Sequence, residues 1–488
     1  MNRKPNILIF NVDQFRADAL GHLGNPAAVT PNLDQLAETE AVSFRNAFCQ
    51  NPVCVPSRCS FMTGWYPHVM GHRTQHYLMH ESDPVLLKTM KDNGYFVWWA
   101  GRNDLIPPQV SIEQFCTIHS TASARKIRPG LHADQSWRGK KGTDNFYSFY
   151  AGRLDKGDED IYFDSDWNNV YQAIDFIKNS RSVRPFCIFL GLLYPHPPYG
   201  VEEPWYSMIK RDAILPLIPP PETWKGKPGI LKGLYDAQGL KNWEADRLIE
   251  LRATYLGMCA RVDHQFGMVI DALKETGCYN DTAIFFFSDH GDFTGDYGLV
   301  EKTQNTFEDC LTHVPFLIKP PAEVPVKSRI SNALIELVDF PATVQALTGI
   351  EFNYTHFGRS LLSIVSGKTD EHRDAVFCEG GRLHGEIHCM GHEDNGGPDD
   401  LYYPRTRLQI SEGPEHTKAI MCRTKNYKYV RRLYEDNELY DLKKDPDELH
   451  NLIRDRDYIN VALELERRLL TFYLETCDTV PHKTDQRS

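Results

Sequence analysis

Short, continuous runs of apolar residues alternate with longer helical stretches along this chain of 488 residues. Such runs, without alternating polar positions, are typical of strands that are covered on both faces of a sheet. Alternation of strands with helices favours a mostly parallel sheet flanked by helices, which is an α/β architecture. The predicted strands span residues 6–12, 95–100, 186–190, 282–287 and 314–318. The predicted helices span residues 31–37, 84–93, 166–179, 243–276 and 334–348.

Two irregular stretches interrupt this pattern. Residues 199–241 are rich in proline, glycine and aromatic residues, and a loop of this length favours a lid or a specificity loop. Residues 381–417 form the second stretch. Beyond it, the pattern predicts short antiparallel strands at residues 418–424, 427–431 and 438–442, and a helix at residues 446–475. We therefore predict a large amino-terminal domain over residues 1–375 and a smaller carboxyl-terminal α+β subdomain over residues 376–488.

The charge balance argues against some classes of partner. The formal net charge is −12 and the isoelectric point is about 5.9, whereas a nucleic-acid-binding face needs a surplus of basic residues. No apolar run approaches the roughly 20 residues that span a bilayer, and no signal segment precedes the first strand. We expect a cytoplasmic protein without nucleic-acid or membrane partners, unless a leader was removed. Twelve cysteines without paired spacing predict neither a zinc site nor a disulfide framework.

Four short segments combine residues that could act together in chemistry. They span residues 11–14, 51–64, 287–292 and 298–302. Asp13 and Asp289 each stand just past a predicted strand, and the carboxyl ends of parallel strands build the sites of such sheets. Taken singly, each aspartate could cap a turn, Cys54 could be an inert buried thiol, and Pro56 could merely start a helix. Their joint occurrence favours a functional site.

The run Cys54-Val55-Pro56-Ser57-Arg58, followed by Thr63-Gly64, resembles the signature of the formylglycine-dependent sulfatases, a family of the alkaline-phosphatase-like superfamily. The resemblance extends over nearly the whole chain. In order, it takes in Asp13, the signature, Tyr194-Pro195-His196-Pro197, Asp289-His290-Gly291, Lys302 and the run Glu438-Leu439-Tyr440-Asp441-Leu442. It implies the alkaline-phosphatase-like fold, in which a mixed, mostly parallel sheet is sandwiched by helices and a smaller α+β subdomain follows. The amino-terminal domain would then be the catalytic one.

The resemblance also implies a modified residue and a metal. In that family a separate formylglycine-generating maturation enzyme oxidises the signature cysteine, so Cys54 would become Cα-formylglycine. A hydrated aldehyde carries two geminal hydroxyls, and a divalent cation lowers the pKa of one so that it can attack at neutral pH. Oxygen ligands favour Ca²⁺, with Mg²⁺ or Mn²⁺ as alternatives. The implied metal ligands are Asp13, Gln14, Cys54, Asp289 and His290.

Three further residues have roles by the same resemblance. Arg58 would support the nucleophile and its metal, and Lys302 would bind a sulfate oxygen where negative charge builds. His196 would protonate the leaving oxygen as general acid, a contribution of roughly 100- to 10,000-fold. The alternative for His196 is a turn histidine packed between prolines.

Two features depart from the commonest pattern of the family. Many relatives carry a second aspartate where this chain has Gln14, which could bind the metal through its amide oxygen or support another ligand. Together with His290, this glutamine resembles the choline sulfatase and phosphonate monoester hydrolase branch. Many sulfatases also carry Gly-Lys-x-His where this chain has Gly101-Arg102-Asn103-Asp104. Arg102 still offers a cation, but Asp104 cannot donate as a histidine does.

Loop histidines are expected to add substrate contacts. His72 follows the signature helix, and His384 and His388 lie in the second irregular stretch. We predict that these three residues contact the substrate together with Arg102 and Asp104. A second metal site built from His384, Glu386, His388 and His392 is the less favoured alternative.

These inferences favour a sulfuric-ester hydrolase that acts on a small sulfated substrate. A sulfated carbohydrate is preferred because the aromatic and histidine-rich loops suit a sugar, and an aryl or alkyl sulfate comes next. A phosphonate monoester or phosphodiester hydrolase would use the same residues. A catalytically silent binding protein of the same fold is the alternative outside enzymes. The sequence leaves a homo-oligomer open.

Overall fold

The computed structural model describes residues 4–121, 123, 125–179, 185–386, 397–411, 413–482 and 486. The strands within these residues are β1 Asn6–Asp13, β2 Val42–Phe48, β3 Phe96–Gly101, β4 Ile118–Ser120, β5 Tyr150–Leu154, β6 Phe186–Pro195, β7 Tyr199–Glu202, β8 Thr282–Ser288, β9 His313–Val314, β10 Phe316–Lys319, β11 Arg329–Glu336, β12 Val376–Gly380, β13 Ala419–Arg423, β14 Tyr427–Arg432 and β15 Glu438–Asp441. The α-helices are α1 Pro31–Thr39, α2 Cys54–Thr63, α3 Pro67–Met70, α4 Leu86–Asp92, α5 Ser165–Asn179, α6 Trp205–Met208, α7 Gly229–Ala237, α8 Ala245–Glu275, α9 Asp309–Thr312, α10 Asp339–Thr348, α11 Leu362–Val365, α12 Tyr403–Gln409 and α13 Ile459–Thr476. Within the described residues, none of these helices combines the length and the apolar character needed to cross a membrane.

Within the part of the chain that the structure describes, the main sheet has nine strands in the order β11-β2-β10-β8-β1-β6-β3-β4, with β9 also paired to β2. Strand β1 is parallel to both β8 and β6, β6 is parallel to β3, and β3 is parallel to β4. Strand β10 runs antiparallel to its neighbours β2 and β8, which makes the sheet mixed. The predicted α/β fold with a mostly parallel central sheet is confirmed.

Helical layers cover both faces of this sheet, which explains why its strands are continuous apolar runs. Every residue of β1 is buried, with Phe10 in one apolar cluster and its neighbour Ile9 in another. The Phe10 ring lies 5.2 Å from Phe266 of α8 on one face. On the other face, Phe285 of β8 lies 4.9 Å from Phe340 of α10. The two strands that carry the predicted aspartates therefore lie at the centre of a closely packed sandwich.

A four-stranded antiparallel sheet, β12-β13-β14-β15, forms the carboxyl-terminal part. Helix α13 packs on it through Phe472, whose ring stacks on Phe377 at 3.9 Å. Strand β12 joins this part to the main sheet, because the backbone N–H of Phe377 donates to Glu336 of β11 at 2.8 Å. The predicted small α+β part is confirmed, and the domain boundary at residues 375–376 stays a prediction.

Three parts of the main sheet differ from what the sequence pattern predicts. Strand β2 was not predicted, although it pairs with β9, β10 and β11. The helix predicted at residues 334–348 starts only at Asp339, because the apolar run before it pairs with β2 as strand β11. The strand predicted at residues 314–318 is divided into β9 and β10 at Pro315, which lacks a backbone N–H.

Two longer segments also differ from the predicted structure. The helix predicted at residues 446–475 begins at Ile459. Before it, the Asp445 carboxylate accepts two backbone N–H groups and holds the chain in a turn. The stretch 199–241 is not a single irregular loop, since it contains β7, α6 and α7. Its role as a lid or specificity loop stays a prediction.

Candidate active site

The carboxyl ends of β1 and β8 bring together four of the predicted residues. The register between these parallel strands places Asp13 and Asp289 side by side. Cys54 is the first residue of α2, and His290 directly follows Asp289. One possible ligand atom from each of these four residues lies within 4.8 Å of the other three, and all four residues are buried. The cluster, called the acidic cluster below, has the composition of a metal site.

Arg58 joins the two carboxylates of the acidic cluster. Its Nε donates to Asp289 Oδ2 at 3.0 Å, and its Nη2 donates to Asp13 Oδ2 at 3.1 Å. The remaining Nη1 is buried and has no hydrogen-bond partner among the described residues. Because buried donors are normally satisfied, Nη1 is a candidate contact for an oxygen of a bound group. The predicted support of the site by Arg58 thus has a direct geometric basis.

His290 directs the lone pair of its Nε2 toward the two carboxylates of the acidic cluster. Its Nδ1 lies 2.9 Å from the Gly291 carbonyl oxygen, so Nδ1 donates the proton and Nε2 is the free acceptor. That Nε2 lies 3.7 Å from an Asp13 oxygen and 3.8 Å from an Asp289 oxygen. Burial keeps the pKa of His290 below its ordinary value, which favours the neutral ring. A neutral imidazole with its other nitrogen held by a carbonyl is the usual state of a metal-bound histidine.

The two carboxylates are close enough to disfavour each other's charge. Burial raises the pKa of Asp289, and the charge of Asp13 raises it further. Burial alone would also raise the pKa of Asp13, but Arg58 and Arg102 hold it well below its usual range. A divalent cation between the carboxylates would relieve their repulsion. The donor set of two carboxylates and a neutral imidazole therefore fits a divalent metal.

The Cys54 thiol is poorly suited to act as a thiolate. Burial raises its pKa well above the ordinary value, and the Asp13 charge raises it further. Its Sγ lies 3.2 Å from His290 Nε2 and 3.5 Å from Asp13 Oδ1. Reactive cysteines occupy electropositive, partly exposed surroundings, whereas this residue is only 1% exposed. The position suits an oxygen nucleophile made from Cys54 better than its sulfur.

Lys302 and His196 form a buried pair beside the acidic cluster. Lys302 Nζ lies 3.0 Å from His196 Nε2, and His196 Nδ1 lies 2.5 Å from the Pro197 carbonyl oxygen. The ring therefore donates from Nδ1 and accepts from Lys302 at Nε2. Burial and the Lys302 charge hold the pKa of His196 well below its ordinary value. In this arrangement a proton of Lys302 Nζ is directed at His196 Nε2.

Gln14 connects Lys302 to the acidic cluster. It adopts a left-handed backbone conformation with φ 70°, and its backbone N–H donates to Asp289 at 3.1 Å. Its amide oxygen accepts from Lys302 at 2.7 Å, while its amide nitrogen donates to Asp292. The role of Gln14 as a metal ligand stays a prediction. Asp292 was given no role from the sequence, although it stands in the same motif as Asp289.

Arg102 and Asp104 also reach this site. Gly101 has φ 89°, and a Cβ there would lie 1.8 Å from the Gly191 carbonyl oxygen, so a larger residue would push β3 away from β6. Arg102 Nε is 3.7 Å from Asp13 Oδ2 and 2.6 Å from Asp104 Oδ2. The predicted substrate role of this ion pair is consistent with its position and stays a prediction.

Sequence reasoning missed an aromatic pair that borders His196. The His132 ring lies 5.7 Å from the His196 ring and stacks on Tyr402 at 6.0 Å. Burial and the charge of Arg102 lower the pKa of His132 to about 4. Arg405 lies 4.8 Å from the Tyr402 ring centre. The signal for Tyr402 was its place among aromatic and basic residues in the second irregular stretch, whereas His132 had no comparable signal.

The two loop histidines that the structure describes, His72 and His384, have other partners. His72 pairs with Asp83 at 3.3 Å, and its other nitrogen faces a backbone carbonyl at 3.2 Å. The exposed His384 stacks on Tyr434 at 4.4 Å. His388 lies outside the described residues, as does His392. A substrate contact of these histidines stays a prediction.

The position of the site, at the carboxyl edge of a mostly parallel sheet, is typical of hydrolases with an alkaline-phosphatase-like fold. The family model described as "Sulfatase" matches residues 5–350. A second model, described as "N-sulphoglucosamine sulphohydrolase, C-terminal", matches residues 397–474. The chain belongs to the sulfatase family, as the signature around Cys54 implied.

Similar proteins agree with this assignment. An arylsulfatase of Clostridium perfringens (strain 13 / Type A) is 26% identical, with 97% of this chain and 95% of that protein covered. The phosphonate monoester hydrolase of Agrobacterium radiobacter has a TM-score of 0.74 at 22% identity, covering 97% of this chain and 96% of that chain. A protein solved in complex with its substrate D-glucosamine-2-N,6-O-disulfate has a TM-score of 0.68 at 19% identity. The match covers 99% of this chain and 100% of that chain. The chain is thus a sulfatase-type enzyme.

Proposed function

We propose that this enzyme hydrolyses a sulfate ester of a sulfated carbohydrate, using a formylglycine hydrate at position 54 and a divalent metal. The observation that carries the proposal is the acidic cluster around Cys54 with the Lys302–His196 pair beside it. The carbohydrate is supported by the sugar named in the carboxyl-terminal family description and by the disulfated glucosamine bound in a similar structure. The flat faces and polar edges of His132 and Tyr402 also suit a sugar ring.

The residues of the acidic cluster would hold the cation and the modified residue. When bound, the metal would lower the pKa of a hydroxyl of the hydrated aldehyde at position 54 and polarise a sulfuryl oxygen. Arg58 fixes both carboxylates through its two hydrogen bonds, and its free Nη1 is available to an oxygen of the substrate. Lys302 places a buried positive charge where the sulfuryl oxygens gain negative charge, and such fixed charges act strongly in a site without water.

The Lys302–His196 pair would supply the proton for the leaving oxygen. The ammonium of Lys302 donates to His196 Nε2, and the Pro197 carbonyl holds the ring from its other side. As negative charge develops on the leaving oxygen, it would take a proton from Lys302 Nζ, because both nitrogens of the His196 ring are already engaged, Nε2 by Lys302 and Nδ1 by the Pro197 carbonyl oxygen. Burial and the Lys302 charge keep the pKa of His196 low, so its ring stays neutral and orients the ammonium of Lys302. The charges of Glu301 and Asp13 raise the pKa of Lys302 despite its burial, which keeps this ammonium protonated.

We propose Ca²⁺ or Mn²⁺ as the metal. Removing the charge of one proposed ligand, Asp13, tests whether a metal is bound. Asp13→Asn should lower the metal content of the purified protein and weaken metal affinity by at least about 100-fold. Mutating a residue that only hydrogen-bonds to a metal ligand already weakens affinity by about 10- to 100-fold. The measurements are elemental analysis and a thermal melt with and without added metal, because a bound metal stabilises the folded protein. His290 favours Mn²⁺ over Ca²⁺, which prefers oxygen ligands.

A matched control separates metal loss from a general effect of losing a buried carboxylate. Asp263 in α8 is also buried and accepts backbone and side-chain N–H groups from the start of α1. Asp263→Asn should keep the metal content of the wild type. Equal metal content in Asp13→Asn and the wild type would rule out Asp13 as a metal ligand.

A phosphonate monoester or phosphodiester hydrolase is the second candidate. Gln14 and His290 favour it, because both resemble that branch, and so does the likeness to a phosphonate monoester hydrolase. Assays of one aryl sulfate and one aryl phosphonate ester with the same leaving group should show higher kcat/KM for the sulfate. A phosphonate kcat/KM far above that of the sulfate would reverse the order of the two candidates.

A further inference from the structure

A pocket of about 330 Å³ lies at the carboxyl ends of β3 and β4 and at the start of α5. This volume falls within the size range of ligand pockets, about 300–1,000 Å³. Its polar lining includes Arg102, His119, Ser120, Thr121 and Asn169, with Leu193 at one side. None of its residues except Arg102 has a place in the reaction described above. We call it the α5 pocket.

The α5 pocket borders the active site at two places. Arg102 forms part of its wall, and Nε of the same side chain is 3.7 Å from Asp13 Oδ2. Leu193, on another side, accepts the backbone N–H of His196 through its carbonyl at 2.9 Å. A substrate whose leaving oxygen lies beside His196 therefore has this pocket next to its leaving group.

Neutral hydrogen-bonding groups dominate the α5 pocket. Asn169 is 8% exposed, and its side-chain amide has no hydrogen-bond partner among the described residues. A buried amide of this kind carries two donors and an acceptor that a ligand can satisfy. Burial lowers the pKa of His119, which keeps its ring neutral. Ser120 and Thr121 add hydroxyl groups.

The start of α5 is not arranged to bind an anion. The Asp164 carboxylate accepts the backbone N–H of Trp167 at 3.1 Å and caps the helix. Asp166, which also lines the pocket, accepts the backbone N–H groups of Leu193 and Tyr194 at 2.9 and 2.8 Å. The Trp167, Leu193 and Tyr194 amides are thus occupied and cannot hold a sulfate or carboxylate. Burial and the charge of Asp164 raise the pKa of Asp166 to about 7, so this side chain adds little charge to the wall. These features favour an uncharged ligand with several hydroxyls.

We propose that the α5 pocket binds an uncharged sugar ring attached to the sulfated ring of the substrate. The inference rests on the proposed carbohydrate sulfatase function and specifies it as action on a saccharide of at least two rings. Asn169, Ser120 and Thr121 bond the hydroxyls of the second ring. Arg102, shared by the pocket and the active site, contacts the substrate between its two rings.

Two variants test the α5 pocket in different ways. Asn169→Leu removes the unpaired amide, and Thr121→Trp fills the pocket from an exposed position where a large side chain does not disturb the core. Asn179→Leu is the matched control, since it makes the same change at an exposed position on α5 away from the pocket. Thermal melts of all three variants establish that each is folded.

The measurement is kcat/KM for a sulfated monosaccharide and for the disaccharide that adds one uncharged ring to it. The wild type and Asn179→Leu should prefer the disaccharide by about ten-fold, which corresponds to one or two net hydrogen bonds. Asn169→Leu and Thr121→Trp should bring this ratio close to one. A ratio near one in the wild type, or an unchanged ratio in folded Thr121→Trp, would overturn the pocket assignment. Turnover of an aryl sulfate without turnover of either saccharide would instead overturn the carbohydrate function on which it rests.

Discussion

Cys54→Ala is expected to lower kcat for an aryl sulfate by about 10⁵- to 10⁶-fold, the size of effect that removal of a catalytic nucleophile produces. Alanine offers neither a thiol nor an aldehyde, so the oxygen nucleophile of the proposed reaction cannot form. Folding should be preserved, because the substitution removes one sulfur atom at the start of a helix. The measurements are steady-state kinetics, a thermal melt and the mass of the peptide that contains residue 54.

Cys116→Ala is the matched control for this prediction. Cys116 is equally buried but packs beside β4, apart from the acidic cluster. It should retain wild-type turnover and a formylglycine mass at position 54. Wild-type activity in Cys54→Ala would refute the proposed mechanism. An unmodified cysteine in fully active protein from the native host would refute the formylglycine.

Lys302→Met is expected to lower kcat by about 10²- to 10³-fold, comparable to the removal of one group that stabilises transition-state charge. Methionine keeps much of the side-chain length but removes the charge and the donor to His196. Burial and the Lys302 cation both lower the pKa of His196. Without the cation this pKa rises, so the limb of the pH–rate profile that reports His196 should move to higher pH. The measurement is kcat/KM against pH for both proteins.

Lys319→Met controls for the loss of a buried lysine. Lys319 is 4% exposed and donates to two backbone carbonyls at 2.7 and 3.2 Å, apart from the active site. This variant should lose some thermal stability and keep both kcat and the pH profile. If Lys302→Met loses kcat but its pH–rate profile does not move, Lys302 stabilises transition-state charge without changing the pKa of His196. That result would contradict the proposed coupling of the two residues.

The sequence was sufficient to predict the central strands and the residues at their ends. Asp13 and Asp289 follow continuous apolar runs, and such runs identify strands that are buried on both faces. Strand β2 escaped this reasoning because Ser43, Arg45 and Asn46 interrupt its apolar character. Its buried pairing with β10 and β11 depends on contacts between distant parts of the chain, which local patterns do not record.

The parts of the site that come from loops were the hardest to predict. His132 and Tyr402 lie far apart in the sequence and meet only through tertiary packing. Gln14 was identified as unusual, but its hydrogen bonds to Lys302 and Asp292 depend on a left-handed backbone conformation that a glutamine rarely adopts. Motif reasoning therefore identified the residues of the acidic cluster, whereas the side chains around them required the structure.

The complete burial of Cys54 has a consequence for the order of events during synthesis. Its sulfur contacts His290, which is 236 residues further along the chain. At roughly 5–20 residues per second, a ribosome needs on the order of 10–50 s to make that intervening length. During this interval Cys54 lacks the partners that enclose it, and afterwards the closed fold excludes another protein from it. Under the proposed conversion of Cys54 to formylglycine, a maturation enzyme would therefore have to act before folding is complete, and slower translation between the two residues would increase the fraction of converted molecules.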